Sequence, residues 1–176
     1  MLSRSRVWGK RGLYSYLIDL TYVRLHQEFV YLAVVLDVYT RRIRGWHLRR
    51  HLDQLLTLTA LRRALRQHRP ESQHSDQGVQ YAATPSIQIL RGVGAQIRMA
   101  AGGEATENGD AERLMRTIKE EEVTLNEYAD FHAAYQQLGR FLAAVSQLKR
   151  IHSALGYLTP EEVETQWRQN NLTPWL

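Results

Sequence analysis

The run Phe29-Val30-Tyr31-Leu32-Ala33-Val34-Val35-Leu36 has no polar residue in it. An uninterrupted apolar stretch of this kind marks a β-strand covered on both faces. Its neighbours give it partners. Tyr14 to Val23 is rich in aromatic and branched residues and reads as a strand, and the six residues between the two runs suit a hairpin connection. Asp37 to Arg42 then turns the chain into Ile43 to Leu48, a third strand with Gly45 and Trp46 inside it. Three strands in succession imply an antiparallel meander.

Beyond the third strand the pattern changes from strand to helix. Asp53 to His68 places leucines at 55, 58, 61 and 65 and alanines at 60 and 64, an amphipathic helix that Pro70 stops. Ser72 to Ser75 is a short approach to Asp76, where a fourth strand ends, and Gln77-Gly78 signals a loop. Thr84-Pro85 opens a second helix to about Arg91, with proline in a favoured first-turn position. Gln96 to Met99 reads as a brief strand. A glycine-rich turn, Ala101-Gly102-Gly103, precedes an amphipathic helix with apolar residues at 111, 114, 115 and 118. A longer helical region covers 127–149, and a turn-rich segment from His152 to Pro160 leads to a short final helix. The expected organisation is a basic lead-in over 1–13, one α/β core over 14–165 and a tail over 166–176.

At 176 residues the chain is long enough to bury one sizeable core, and no apolar run approaches the length of a membrane span. There is no cysteine, which removes disulfides, thiolate catalysis and the usual structural zinc sites and fits a reducing, cytoplasmic address. The net charge of +5 favours a polyanionic partner. Arginines supply most of it, crowding at 41, 42, 44, 49 and 50 and again at 62, 63, 66 and 69; their planar fork suits phosphate oxygens.

Three carboxylates stand out. Aspartate is depleted in strands, so Asp19, between Ile18 and Leu20, needs a reason. Asp76 falls where the fourth strand ends, and ends of strands in open sheets are where sites are built. Glu112 lies off the apolar stripe of its helix, with Arg116 and Lys119 one and two turns along the same face. Alone, that face would be an ordinary solvated, salt-bridging one. Carboxylates brought together repel one another and raise each other's pKa values unless a divalent cation neutralises them. Oxygen-only ligands select magnesium or manganese over zinc. A pair of such ions about 4 Å apart suits in-line phosphoryl displacement.

Taken together, the motifs Asp19-Leu20-Thr21-Tyr22-Val23, His74-Ser75-Asp76-Gln77-Gly78-Val79-Gln80-Tyr81, Glu107-Asn108-Gly109-Asp110-Ala111-Glu112-Arg113 and Arg150-Ile151-His152-Ser153-Ala154-Leu155-Gly156-Tyr157-Leu158-Thr159-Pro160 resemble the catalytic core of bacterial insertion-sequence transposases that share the retroviral-integrase type of core. The 35 residues between Asp76 and Glu112 are themselves a signature of that family. The resemblance runs from about Tyr16 to Glu162. It implies a ribonuclease-H-like fold: a five-stranded mixed sheet, three antiparallel strands and then two more, flanked by helices. It further implies two Mg2+ (or Mn2+) ions held by Asp19, Asp76 and Glu112, with Arg116 and Lys119 touching the DNA end. His74 can orient the site or approach a phosphate, or be purely structural.

The implied activity is DNA end cleavage followed by strand transfer, by a homo-oligomer on paired element ends with target DNA, in the bacterial cytoplasm at the nucleoid. Family members carry an upstream helix-turn-helix region, whereas eighteen residues precede Asp19 here. A separate helix-turn-helix subunit or the product of an upstream frame would then complete the machine. Tyr16 stands where the family places tryptophan, and Val145-Ser146 where it often places Tyr-Asn. An inactive DNA-binding remnant and a plain metal-dependent nuclease of the same fold are the competing readings. Among other candidates, Asp37 suits a turn-stabilising role with Thr40 or Arg41. His47 and His51 lie on a strand leading into a loop, without helical metal-site spacing, and Glu120-Glu121-Glu122 reads as a solvated helix face.

Overall fold

A computed structural model describes residues 15–70, 72–75, 84–99, 113, 116–144 and 158–171. Strand β1 runs over Ser15–Arg24, β2 over Phe29–Asp37 and β3 over Ile43–Arg49. Helix α1 covers Gln54–Gln67, and β4 (Ser72–Ser75), α2 (Thr84–Gly92) and β5 (Gln96–Met99) come next. A π-helical turn over Lys119–Val123 continues the helix that includes Arg113 and residues 116–118; α3 (Phe131–Ala144) and α4 (Pro160–Asn171) come last. The five strands lie side by side in the order β3-β2-β1-β4-β5. β1, β2 and β3 are antiparallel, whereas β4 pairs parallel to β1 and β5 parallel to β4. This is the mixed ribonuclease-H-like sheet that the motifs imply, with β1 at its centre.

Two apolar layers sandwich the sheet because its strands present alternate residues to opposite faces. On one side Leu17, Val23, Leu32, Val34 and Leu36 pack with Ile118, Tyr128, Leu138 and Leu142. On the other, Tyr16, Ile18, Ala33 and Val35 pack with Leu56, Ala60, Leu61 and Leu90. With a layer on each side, β2 is buried on both faces from Leu32 to Asp37, which explains its apolar character, while Phe29 at its start is exposed. The hydroxyl of Tyr16 donates to the His68 carbonyl at 2.9 Å, so the residue in the family's tryptophan position tethers the end of α1.

Helix α1 begins at Asp53, whose Oδ1 accepts the Leu56 amide at 3.2 Å. Of its expected stripe Leu58, Ala60, Leu61 and Ala64 are buried, but Leu55 is 49% exposed and Leu56 and Thr57 are buried in addition. Gly45 on β3 sets this rotation. A Cβ there would collide with the Ala60 carbonyl oxygen and lie 2.8 Å from the Ala64 amide nitrogen, so the helix seats its alanines directly on the glycine. Opposite Val35–Leu36 the pairing skips Arg44, a bulge that lets this arginine turn inward.

Helix α3 starts four residues later than the periodicity suggests. Tyr128 is buried and bridges to Leu25, and Asp130 then caps the helix by accepting the Ala133 amide at 2.8 Å. Glu122 corrects the expectation of a solvated acidic face: it is only 6% exposed, and the Tyr128 hydroxyl donates to its carboxylate at 3.3 Å. Burial pushes this carboxyl above the usual range, against the pull of Tyr128, Gln137 and Arg140. Glu120 and Glu121 are exposed as expected.

Candidate active site

Asp19 occupies the middle of β1, half-buried, opposite Val34 of β2. Its Oδ1 accepts the Leu20 amide at 2.7 Å. Alternation puts it on the sheet face of Leu17 and Val23, the face on which Ile118 is wholly buried. Together with Thr21, Asp19 therefore interrupts an otherwise apolar layer beside the helix that follows Glu112 in sequence. Parallel pairing of β1 with β4 is described from Ser15↔Ser72 to Leu17↔His74. Asp19 thus stands two residues past the last described pair on β1, and Asp76 follows His74 by two residues in the sequence.

Asp76 and Glu112 lie outside the described residues, as do the lead-in, the 101–109 loop, Tyr81 and residues 145–157. Among the described residues no three Asp, Glu or His side chains gather to hold a metal. His74 forms part of β4, in register with Leu17 on one side and Arg98 on the other. Arg116 and Lys119 are both exposed, and the Lys119 ammonium sits 5.7 Å from the centre of the Tyr22 ring. That contact joins the helix with the basic face directly to the strand with Asp19. Nothing in the separate motifs signals it.

The arginines divide by role. Arg44, 1% exposed, is no phosphate ligand: its Nη2 lies 3.2 Å from Asp37 Oδ2 and 3.0 Å from Glu164 Oε2 of helix α4. Arg42 and Arg168 reach the same carboxylate from the solvent side, at 2.8 Å and 2.6 Å from Glu164. Asp37 also accepts the Thr40 hydroxyl at 2.7 Å and the Tyr39 amide at 3.2 Å, the expected turn-stabilising role. Arg63 donates to the Trp46 carbonyl at 2.8 Å and to the Tyr135 hydroxyl at 2.9 Å, pinning α3 to α1. Arg49 and Arg50 pair with Asp53 and Glu28. Arg62, Arg66 and Arg69 remain exposed along α1 and just beyond it.

Residues 11–105 match the integrase core domain family, and residues 93–160 match a second family also described as an integrase core domain. The chain belongs to the integrase core domain family. It is 30% identical over 149 residues to the transposase for insertion sequence element IS904 of Lactococcus lactis subsp. lactis (strain IL1403), covering 83% of this chain and 59% of that protein. This integrase core therefore spans less than two thirds of that transposase's length. A chain of the simian T-cell lymphotropic virus intasome in complex with PP2A regulatory subunit B56 gamma superimposes with a TM-score of 0.67 at 15% identity, over 95% of this chain and 58% of the viral one. The HTLV-2 integrase catalytic core domain in complex with magnesium (trimeric form) superimposes with a TM-score of 0.62 at 17% identity, over 87% of this chain and 99% of that one. At such identities these likenesses establish the fold.

Proposed function

We propose that this integrase core is the catalytic core of an insertion-sequence transposase, a polynucleotidyl transferase that cleaves DNA at element ends and joins the freed 3′ end to target DNA. The observation that carries the reading is the position of Asp19. A half-buried carboxylate breaks the apolar face of the central strand, beside the helix that follows Glu112 in sequence. Partial exposure leaves its oxygens within reach of a cation from solvent, and an all-carboxylate set is the donor chemistry that magnesium or manganese takes. Asp19, Asp76 and Glu112 would hold the ions, two in this reading. When bound, such ions supply charge neutralisation at the scissile phosphate and a more acidic water.

The chain's own residues do the rest. Arg116 and Lys119, exposed on one helical face, receive backbone phosphates of the DNA end, and His74 next to the site helps to orient it. The likeness to a chain of an intasome supports action on DNA as an oligomer. Residues 14–165 form the core in this reading, with 1–13 leading in and 166–176 trailing. Among the described residues no helix is long and apolar enough to cross a membrane.

The test is strand transfer of a pre-cut end oligonucleotide into plasmid DNA with magnesium or manganese. Joining by the unsubstituted chain, abolished in Asp19→Asn with an unchanged circular dichroism spectrum, is the expected result. Cleavage without joining would instead identify a nuclease. DNA binding with neither reaction would leave a binding remnant, and full activity in Asp19→Asn would overturn the site.

A further inference from the structure

Tyr22 and Phe29 are the aromatic side chains left mostly in solvent among the described residues, 60% and 53% exposed. They share one face of the β1–β2 hairpin, because Tyr22 pairs with Tyr31 and Arg24 with Phe29, making Tyr22 and Phe29 diagonal neighbours. Their rings meet edge to face, 5.9 Å apart at 78°, so Phe29 braces Tyr22. Lys119 lies 5.7 Å from the Tyr22 ring centre, and Arg24 and Arg116 are exposed. Beside the ring opens a groove of about 570 Å³ lined by Tyr22, Arg24, His26, Thr124, Asn126 and Glu127, the last 3.7 Å from His26. Tyr22 is three residues beyond Asp19 on β1, roughly 10 Å at strand rise, and leaves the opposite face of the strand, so the platform flanks the proposed metal site rather than lining it.

We infer that Tyr22, braced by Phe29, is a stacking platform for an unpaired base of the DNA strand whose phosphates Lys119 and Arg116 receive. The inference rests on the proposed function and adds to it a site that reads the base rather than the backbone. An apolar protein partner on this patch would strip water from Lys119 and Arg24 without replacing it. A nucleotide offers a π-face to the ring and a phosphate to the cations together, and base–aromatic stacking tolerates any sequence.

The experiment compares binding of the full chain to a short blunt duplex and to the same duplex with an unpaired thymidine tail containing 2-aminopurine. The unsubstituted chain is expected to prefer the tailed duplex and to quench the 2-aminopurine. Tyr22→Ala should lose roughly 5- to 100-fold in affinity for the tailed duplex only, and Tyr22→Phe should keep it. Lys119→Ala should weaken both duplexes and lower the salt slope by about 0.7–0.9. Equal binding of the two duplexes by a chain that still joins DNA overturns the stacking site alone. The same conclusion holds if Tyr22→Ala flattens the salt dependence as Lys119→Ala does, since Tyr22 would then only support the lysine. No binding to either duplex overturns the proposed function, and this inference with it.

Discussion

Glu164→Gln is the substitution whose consequence the structure defines best. The Glu164 side chain is 3% exposed and faces Arg44, Arg42, Arg168 and His68 at 3.0, 2.8, 2.6 and 3.4 Å. These contacts do not weigh equally. Arg168 and Arg42 are 48% and 21% exposed, and ion pairs that reach solvent are worth about 0–1 kcal/mol each. Burial, then Arg44, hold the His68 imidazole below its ordinary range, so it adds little charge–charge attraction to Glu164, and its Nε2 lies 3.2 Å from Arg168 Nη2. Arg44 dominates. At 1% exposure its guanidinium cannot recover water, and removing one partner of a buried pair costs about 3–5 kcal/mol. Asp37 stays 3.2 Å away and keeps part of that compensation, which places the loss near the lower end, about 3 kcal/mol.

For a chain of this size that loss lowers the Tm by about 6–12 °C. Urea unfolding followed by circular dichroism should show a lower midpoint with an unchanged slope. A double-mutant cycle with Arg44→Met should return a coupling of about 2 kcal/mol, because the two groups share the contact. A loss under about 1 kcal/mol with no coupling would refute the reasoning. It would mean that α4 does not dock through this carboxylate and that Glu164 titrates in water.

The same carboxylate sets a pH dependence. Burial raises the Glu164 pKa, but Arg44 and Arg42 together outweigh that and leave it below the ordinary value. A depressed folded pKa adds stability that is complete above the unfolded value and is lost as pH falls through the folded one. The gap between the unsubstituted chain and Glu164→Gln, measured by urea unfolding across acidic pH, should therefore close on acidification; a gap that widens would contradict the sign. Gly45→Ala should cost about 3 kcal/mol or more, read as a lower Tm, because the new methyl meets α1 backbone at Ala60 and Ala64 rather than a movable side chain. An unchanged Tm would show that α1 does not seat on the glycine.

Local pattern decided how much of this was readable beforehand. β2 announces itself because both of its faces are buried, so no polar residue interrupts eight positions. Asp37 was legible as a turn residue because its partners Tyr39 and Thr40 lie within three positions. Arg44 and Glu164 were not: their contact spans 120 residues, and a glutamate near the start of a final helix looks the same whether it caps, solvates or inserts. Glu122 escaped for a similar reason. Its run of three glutamates has the composition of a solvated face, and the π-helical turn changes which of them points inward.

The candidate site shows the same division. Asp19 drew attention because a carboxylate inside a strand contradicts local propensity, and it does lie half-buried in the middle of β1. Its relation to the basic helix was not readable, because it depends on where that helix crosses the sheet. The structure supplies one fixed point, Lys119 over Tyr22, three positions from Asp19 along the same strand. That contact constrains the reading more than the count of basic residues does. Lys119 stays exposed while its ammonium sits 5.7 Å from the Tyr22 ring centre. Asp19 and Tyr22, three positions apart on β1, leave opposite faces of the strand, so in the proposed function metal ligation and base stacking would fall on the two sides of β1, with Lys119 against the Tyr22 ring.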